Sequence, residues 1–128
     1  MKVPVRVYYQ DTDAGGVVFH AQYLAFMERA RTELLDAAGI DLAALADVGR
    51  VLFLVYELKA RYHAPARLHD KLWVSAEVVK MGRASVVFRH QVERGTELLV
   101  EAEVTLATVQ RDRMRPVRIP EELKQAFK

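Results

Sequence analysis

His20-Ala21-Gln22-Tyr23-Leu24-Ala25-Phe26-Met27-Glu28-Arg29-Ala30-Arg31-Thr32-Glu33-Leu34-Leu35-Asp36-Ala37-Ala38 is the stretch that decides the architecture of this 128-residue chain. Tyr23, Leu24, Met27, Ala30, Leu34, Leu35 and Ala38 recur at helical spacing, with Gln22, Glu28, Arg29, Arg31, Glu33 and Asp36 between them. Ala25 and Phe26 add an apolar shoulder, so the pattern predicts a helix buried along most of its length and closed by Gly39. Such a helix needs a sheet to lie in.

The flanking sequence supplies that sheet. In residues 3–9 the odd positions are apolar, the period of a half-buried strand, and Pro4 suits the beginning of an edge strand. Residues 10–18 carry Asp11-Thr12-Asp13-Ala14-Gly15-Gly16, turn chemistry that predicts a loop before the helix. After a short helical segment at 42–48, four strands are expected at 51–63, 71–81, 84–93 and 97–109. The last is the plainest, with Leu98, Val100, Ala102, Val104 and Leu106 alternating against Leu99, Glu101, Glu103, Thr105 and Ala107. Met81-Gly82-Arg83 and Arg94-Gly95-Thr96 are hairpin-length connections, which makes these strands antiparallel. Pro120 opens a terminal helical turn at its first position. One strand, one long helix and four antiparallel strands indicate an α+β fold, with the sheet covering one side of the helix. Apolar residues on both faces of 51–58 predict a partner subunit and hence a dimer.

A chain of this length is expected to form a single domain spanning 1–128. With no cysteine, it has neither a thiol nucleophile nor cysteine-ligated zinc, and a cytoplasmic setting is expected. It lacks an apolar run of the roughly 20 residues that span a bilayer, so membrane insertion is not expected. Net charge is +2, yet the first 50 residues hold seven acids and five bases while the remainder hold ten and fourteen. Arg111, Arg113, Arg115 and Arg118 make the densest basic cluster. It suits either a phosphorylated ligand or a solvated turn, and it lacks the interleaved aromatics of a nucleic-acid surface.

The chemistry-bearing groups gather between the first strand and the helix. Tyr9-Gln10-Asp11-Thr12-Asp13-Ala14-Gly15-Gly16-Val17-Val18-Phe19-His20 brings together two carboxylates, two glycines and a histidine. Three readings of this cluster are open: turn and capping residues, a metal site from Asp11, Asp13 and His20, or an acyl-transfer site. The metal reading is the weakest, because no helical His-x-x-x-His pair accompanies it, and neither metal nor cofactor is expected. In the acyl-transfer reading, unpaired N–H groups of the helix's first turn stabilise an oxyanion while a carboxylate attacks or activates water.

The run from Val7 to Leu24, followed by Phe26-Met27-Glu28-Arg29-Ala30-Arg31-Thr32-Glu33, resembles the 4-hydroxybenzoyl-CoA thioesterase-like hot-dog family. Its nearest branch looks like the acyl-CoA thioesterases associated with the Tol-Pal system of bacteria. Tyr62-His63-Ala64-Pro65-Ala66-Arg67-Leu68-His69-Asp70 and Arg115-Pro116-Val117-Arg118-Ile119-Pro120 match further family segments. Two positions depart: Gln22 where the branch commonly has Asn, and Arg118 where proline is usual.

The resemblance implies a long helix wrapped by a five-stranded antiparallel sheet, self-association as a dimer and then a tetramer, and hydrolysis of acyl-CoA. It makes Asp13 the catalytic carboxylate, as nucleophile or as general base. His20 donates its backbone N–H to the thioester oxygen, and its imidazole is placed to orient water or Asp13. Tyr9, on the same face of the first strand as Val7, is expected to hydrogen-bond near Asp13, while Asp11 is structural. Arg67, Arg83, Ser85 and the C-terminal arginines are the candidates for contact with CoA. A non-catalytic acyl-CoA-binding or scaffold protein is the rival reading.

Overall fold

Helix α1 runs Gln22–Ala37 in a computed structural model that describes residues 1–127. It buries Tyr23, Phe26, Met27, Ala30, Arg31 and Leu35, a single stripe at three- and four-residue spacing. Ala25 and Ala38 are exposed, so the helix is half buried rather than buried along most of its length. The cause is that the sheet covers it from one side only.

The sheet contains β1 (Lys2–Arg6), β2 (Val51–Tyr62), β3 (Lys71–Met81), β4 (Ser85–Arg94) and β5 (Glu97–Gln110), in the order β1-β3-β4-β5-β2 with every pair antiparallel. A two-residue β6 (Arg115–Pro116) pairs with Val109 and Gln110 of β5, a sixth strand too short for alternation to reveal. Pro4 lies on β1, at one edge of the sheet. β2 forms the other edge, where Leu54, Val55, Tyr56, Leu58 and Tyr62 are exposed. Helix α2 (Leu42–Asp47) is capped by Asp41, whose Oδ1 accepts the N–H groups of Ala43 and Ala44. In α3 (Glu121–Ala126), Pro120 is the N-cap rather than the first helical residue expected, which is Glu121.

The sheet curls because its ladders slip. Register shifts fall between Val55 and Glu57 of β2, between Val78 and Lys80 of β3, and between Val92 and Glu93 where β4 meets β5. Each extra residue bends its strand and sharpens the twist, which lets a short sheet wrap a helix. The third shift corrects the alternation expected for β5. Val92 pairs with Val100 and Glu93 with Leu98, so Leu99 is the extra residue and is fully buried, whereas Leu98 is partly exposed.

α1 lies chiefly on β3 and also touches β1 and β4. Around its first turns, Tyr23, Phe26, Met27, Val74, Val92 and Val100 form one apolar cluster. Around its end, Leu35, Phe88, Val104, Leu106 and Leu123 form another. Burying a side chain the size of Phe26 contributes about 3 kcal/mol, which anchors the start of α1 on the sheet. Together these elements are the expected α+β hot-dog arrangement.

Candidate active site

β1 stops at Arg6 because the following residues are claimed by other partners. The carboxylate of Asp11 accepts the N–H of Tyr8 at 2.8 Å and winds Tyr9–Asp11 into one 3-10 turn. Its other oxygen accepts the side-chain amide of Gln22 at 2.9 Å, and its carbonyl accepts the N–H of Phe19. Asp11 is buried to 3% exposure, and through these bonds it ties the end of β1, the loop's return and the start of α1 together. The structural role expected for Asp11 is therefore visible in the geometry, and Gln22 has the length that the bond to Asp11 uses.

From that knot the chain makes a small hairpin, with Thr12 bridged to Val18. Asp13 stands at its tip. Its N–H donates to the Val17 carbonyl at 2.9 Å, and its carbonyl accepts from Gly16, whose φ of 79° lies in the left-handed region open to glycine. Asp13 Oδ1 accepts the N–H of Gly15 at 2.8 Å, which fixes the carboxylate. Among the described residues, Oδ2 has no hydrogen-bond partner, and Asp13 is exposed.

The hairpin runs directly into α1. His20 is exposed and its imidazole packs against Phe19, the ring centroids 4.4 Å apart. Gln22 N–H donates to the Phe19 carbonyl and Leu24 N–H to the Ala21 carbonyl, while among the described residues the N–H groups of His20 and Ala21 have no protein acceptor. An exposed carboxylate thus stands on a loop that ends in unpaired helix-start donors, a combination suited to addition at a carbonyl.

The sequence-based candidates are distributed unevenly. Tyr9 is not on the face of β1: the turn set by Asp11 carries it out of the strand, to 82% exposure, with its carbonyl accepting from Thr12. Arg67 does adjoin the Asp13 hairpin, bridged to Val17 while the Ala66 carbonyl accepts the N–H of Val18. That second loop is held by Asp70. Burial acts to raise the Asp70 carboxyl, but the Arg67 N–H and the Arg94 guanidinium, 2.7 Å away, hold it below the usual range. Arg83 and Ser85 lie at the β3–β4 turn, where the Arg83 carbonyl accepts from Ile119. β1 pairs with the opposite end of β3, at Lys71, so that turn is on the order of 35 Å from the Asp13 loop within one chain.

Other sites are accounted for by local structure. The arginine-rich segment forms a turn in which Arg111 pairs with Asp47 and Asp112 with Arg50. Among the described residues no three His, Asp or Glu side chains converge as metal ligands, and no helix is long and apolar enough to cross a membrane. The hydroxyl roles of Tyr62 and Tyr23 escaped the sequence reading, although these groups hold the helix start and the Ala66 loop. Their partners are 42 and 43 residues distant, and no local spacing signals such pairs.

Residues 15–108 match the family model described as the thioesterase superfamily. The chain is 44% identical over 124 residues to an acyl-CoA thioesterase, YbgC, of Haemophilus influenzae, covering 97% of this chain and 91% of that protein. It is 45% identical over 126 residues to an acyl-CoA thioester hydrolase, YbgC, of Escherichia coli O6:H1, covering 98% and 93%. Among solved structures, a probable thioesterase from Bartonella henselae superposes with a TM-score of 0.89 at 31% identity, covering 94% of this chain and 98% of that one.

Proposed function

The chain belongs to the thioesterase superfamily, and we infer that its reaction is hydrolysis of an acyl-CoA thioester to the free acid and CoA. One observation carries the assignment of the chemistry: a carboxylate held by Gly15 N–H on one oxygen and, among the described residues, free on the other, on a loop that ends in N–H groups at the start of α1 unpaired within the same residues. Asp13 either adds to the thioester carbon or takes a proton from the water that does. In both routes a C–O bond forms and the carbonyl π pair moves onto oxygen, where the His20 N–H receives it. The C–S bond then breaks, and the thiolate of CoA leaves and takes a proton from solvent. If Asp13 itself has added, water opens the mixed anhydride and restores the carboxylate.

We assign His20 and Tyr9 to the same site, the imidazole to orient water or Asp13 and the Tyr9 hydroxyl to hydrogen-bond near Asp13. Arg67 is assigned to a CoA phosphate on the Asp13 side. Arg83 and Ser85 serve the nucleotide end only where a second chain brings them near, because their own Asp13 is at the far end of β3. That requirement supports a dimer formed through the exposed β2 edge, and two such dimers as a tetramer. Sedimentation equilibrium is expected to give the mass of two or four chains; a one-chain mass at micromolar concentration would contradict it. The whole reaction is assigned to one domain, and the cysteine-free composition supports a cytosolic setting.

The direct test is release of free thiol from short-chain, long-chain and aromatic acyl-CoAs by the purified protein. Release from at least one class is expected; tight binding of all without release would leave the non-catalytic binding reading standing. Gly15 offers a finer test. A Cβ placed there lies 3.1 Å from Asp13 Oδ1, closer than most such contacts, so Gly15→Ala displaces the carboxylate without a backbone penalty. Its kcat is expected to fall about tenfold while binding changes little, since small misplacements of reacting groups are costly.

A further inference from the structure

Tyr62 ends β2, and its hydroxyl donates to the carbonyl oxygen of His20 at 2.9 Å. Its ring stands edge-on to that of Tyr23 with centroids 5.7 Å apart, and the Tyr23 hydroxyl accepts the N–H of Ala66. The helix does not use the carbonyl that Tyr62 holds. A regular α-helix would give the His20 carbonyl to the N–H of Leu24, four residues on, but Leu24 donates to Ala21 at 3.1 Å instead. Without Tyr62 the His20–Ala21 peptide unit would have no bond among the described residues to set its rotation. Partial burial pushes the Tyr62 phenol up, so the hydroxyl remains a donor across the neutral range.

Peptide units are planar, and the chain contains no cis bond among its described residues, so the Ala21 N–H points opposite to the His20 carbonyl. Fixing one direction fixes the other. We propose that Tyr62 is a positioning residue: by holding the His20 carbonyl toward β2 it keeps the Ala21 N–H turned away from β2, as a second donor to the oxyanion beside the His20 N–H. The assignment rests on the reading of Asp13 and the start of α1 as the reacting site, and it adds a residue from a distant strand to that site.

Tyr62→Phe is the informative variant, because it keeps the ring against Tyr23 and removes only the hydroxyl. With the preferred acyl-CoA, kcat is expected to fall about tenfold, less than the 10²–10³-fold typical of deleting an oxyanion donor outright, while KM stays within about twofold. Two stable CoA analogues separate positioning from general loosening. A ketone that keeps the carbonyl should bind more weakly to the variant than to the wild type, whereas a thioether without the carbonyl should bind both equally. Unchanged kcat, or a loss shared equally by the two analogues, overturns the proposal. Asp13→Asn measured alongside keeps the two readings apart: an active Asp13→Asn refutes the role of Asp13, whereas an unaffected Tyr62→Phe beside an inactive Asp13→Asn refutes only that of Tyr62.

Discussion

Asp13→Asn will lower kcat by at least about 10³-fold and leave acyl-CoA binding nearly unchanged. The amide retains an oxygen at the Oδ1 position, so the Gly15 N–H keeps its acceptor and the hairpin keeps its shape. What the amide lacks is a charge: it neither adds to a thioester carbon nor accepts a proton from water. Loss of thiol release with retained binding of the thioether analogue is the expected pair of measurements. Equal turnover by both proteins would move the chemistry to a different group. Single-turnover hydrolysis in heavy-oxygen water then separates the two remaining routes. Label appearing in the Asp13 carboxylate after that single turnover marks a mixed anhydride opened at the Asp13 carbonyl, which the activated-water route does not produce.

Acidification will cost the protein about 3 kcal/mol of stability through His90 alone. His90 is fully buried on β4. Its Nδ1–H donates to the Ser75 carbonyl of β3 at 2.9 Å, and its Nε2 accepts from Arg31 of α1 at 3.1 Å. Phe88 stacks beside it on the same strand. Burial pushes the imidazole down to about 4 from 6.5, and the Arg31 charge acts in the same direction against the Ser75 carbonyl. Above pH 6.5 both folded and unfolded states hold His90 neutral, so it exerts no pull. Between about 6.5 and about 4 the unfolded chain binds a proton that the folded chain refuses, and stability falls by about 1.4 kcal/mol per pH unit. Urea midpoints at pH 7, 6 and 5 should trace this decline, and His90→Gln, which does not titrate, should flatten it. A wild type with equal midpoints at all three values, or a variant sharing its slope, would remove His90 as the cause.

Features of the fold that repeat along the chain were legible in the sequence. The alternation of Leu98 to Ala107 placed β5, although it fails at Leu99, Arg94-Gly95-Thr96 placed its hairpin, and the helical spacing of Tyr23, Met27 and Ala30 placed α1. The loop that carries Asp13 and His20 was legible from the motif, as was the structural use of Asp11. Features set by pairing across space were not. Leu99 turns inward because β4 and β5 slip by one residue, and no period within β5 announces that slip. Arg31 reads as a solvent-facing residue between apolar ones, yet it is buried, because His90 from 59 residues away accepts its N–H. Tyr9 leaves the strand because a carboxylate two positions later captures the backbone first.

The knot at Asp11 alters what a ligand must accomplish on arrival. Active-site loops are often ordered by their ligands, and immobilising one residue's backbone costs about 1–2 kcal/mol. Here the segment from Tyr8 to Gln22 is tied at Tyr8, Phe19 and Gln22 by a single buried residue, through its carboxylate and its backbone carbonyl. That entropy is spent once, when the protein folds. Acyl-CoA therefore meets a loop already in place, and its binding entropy reports the substrate's own lost freedom and released water rather than the ordering of Asp13.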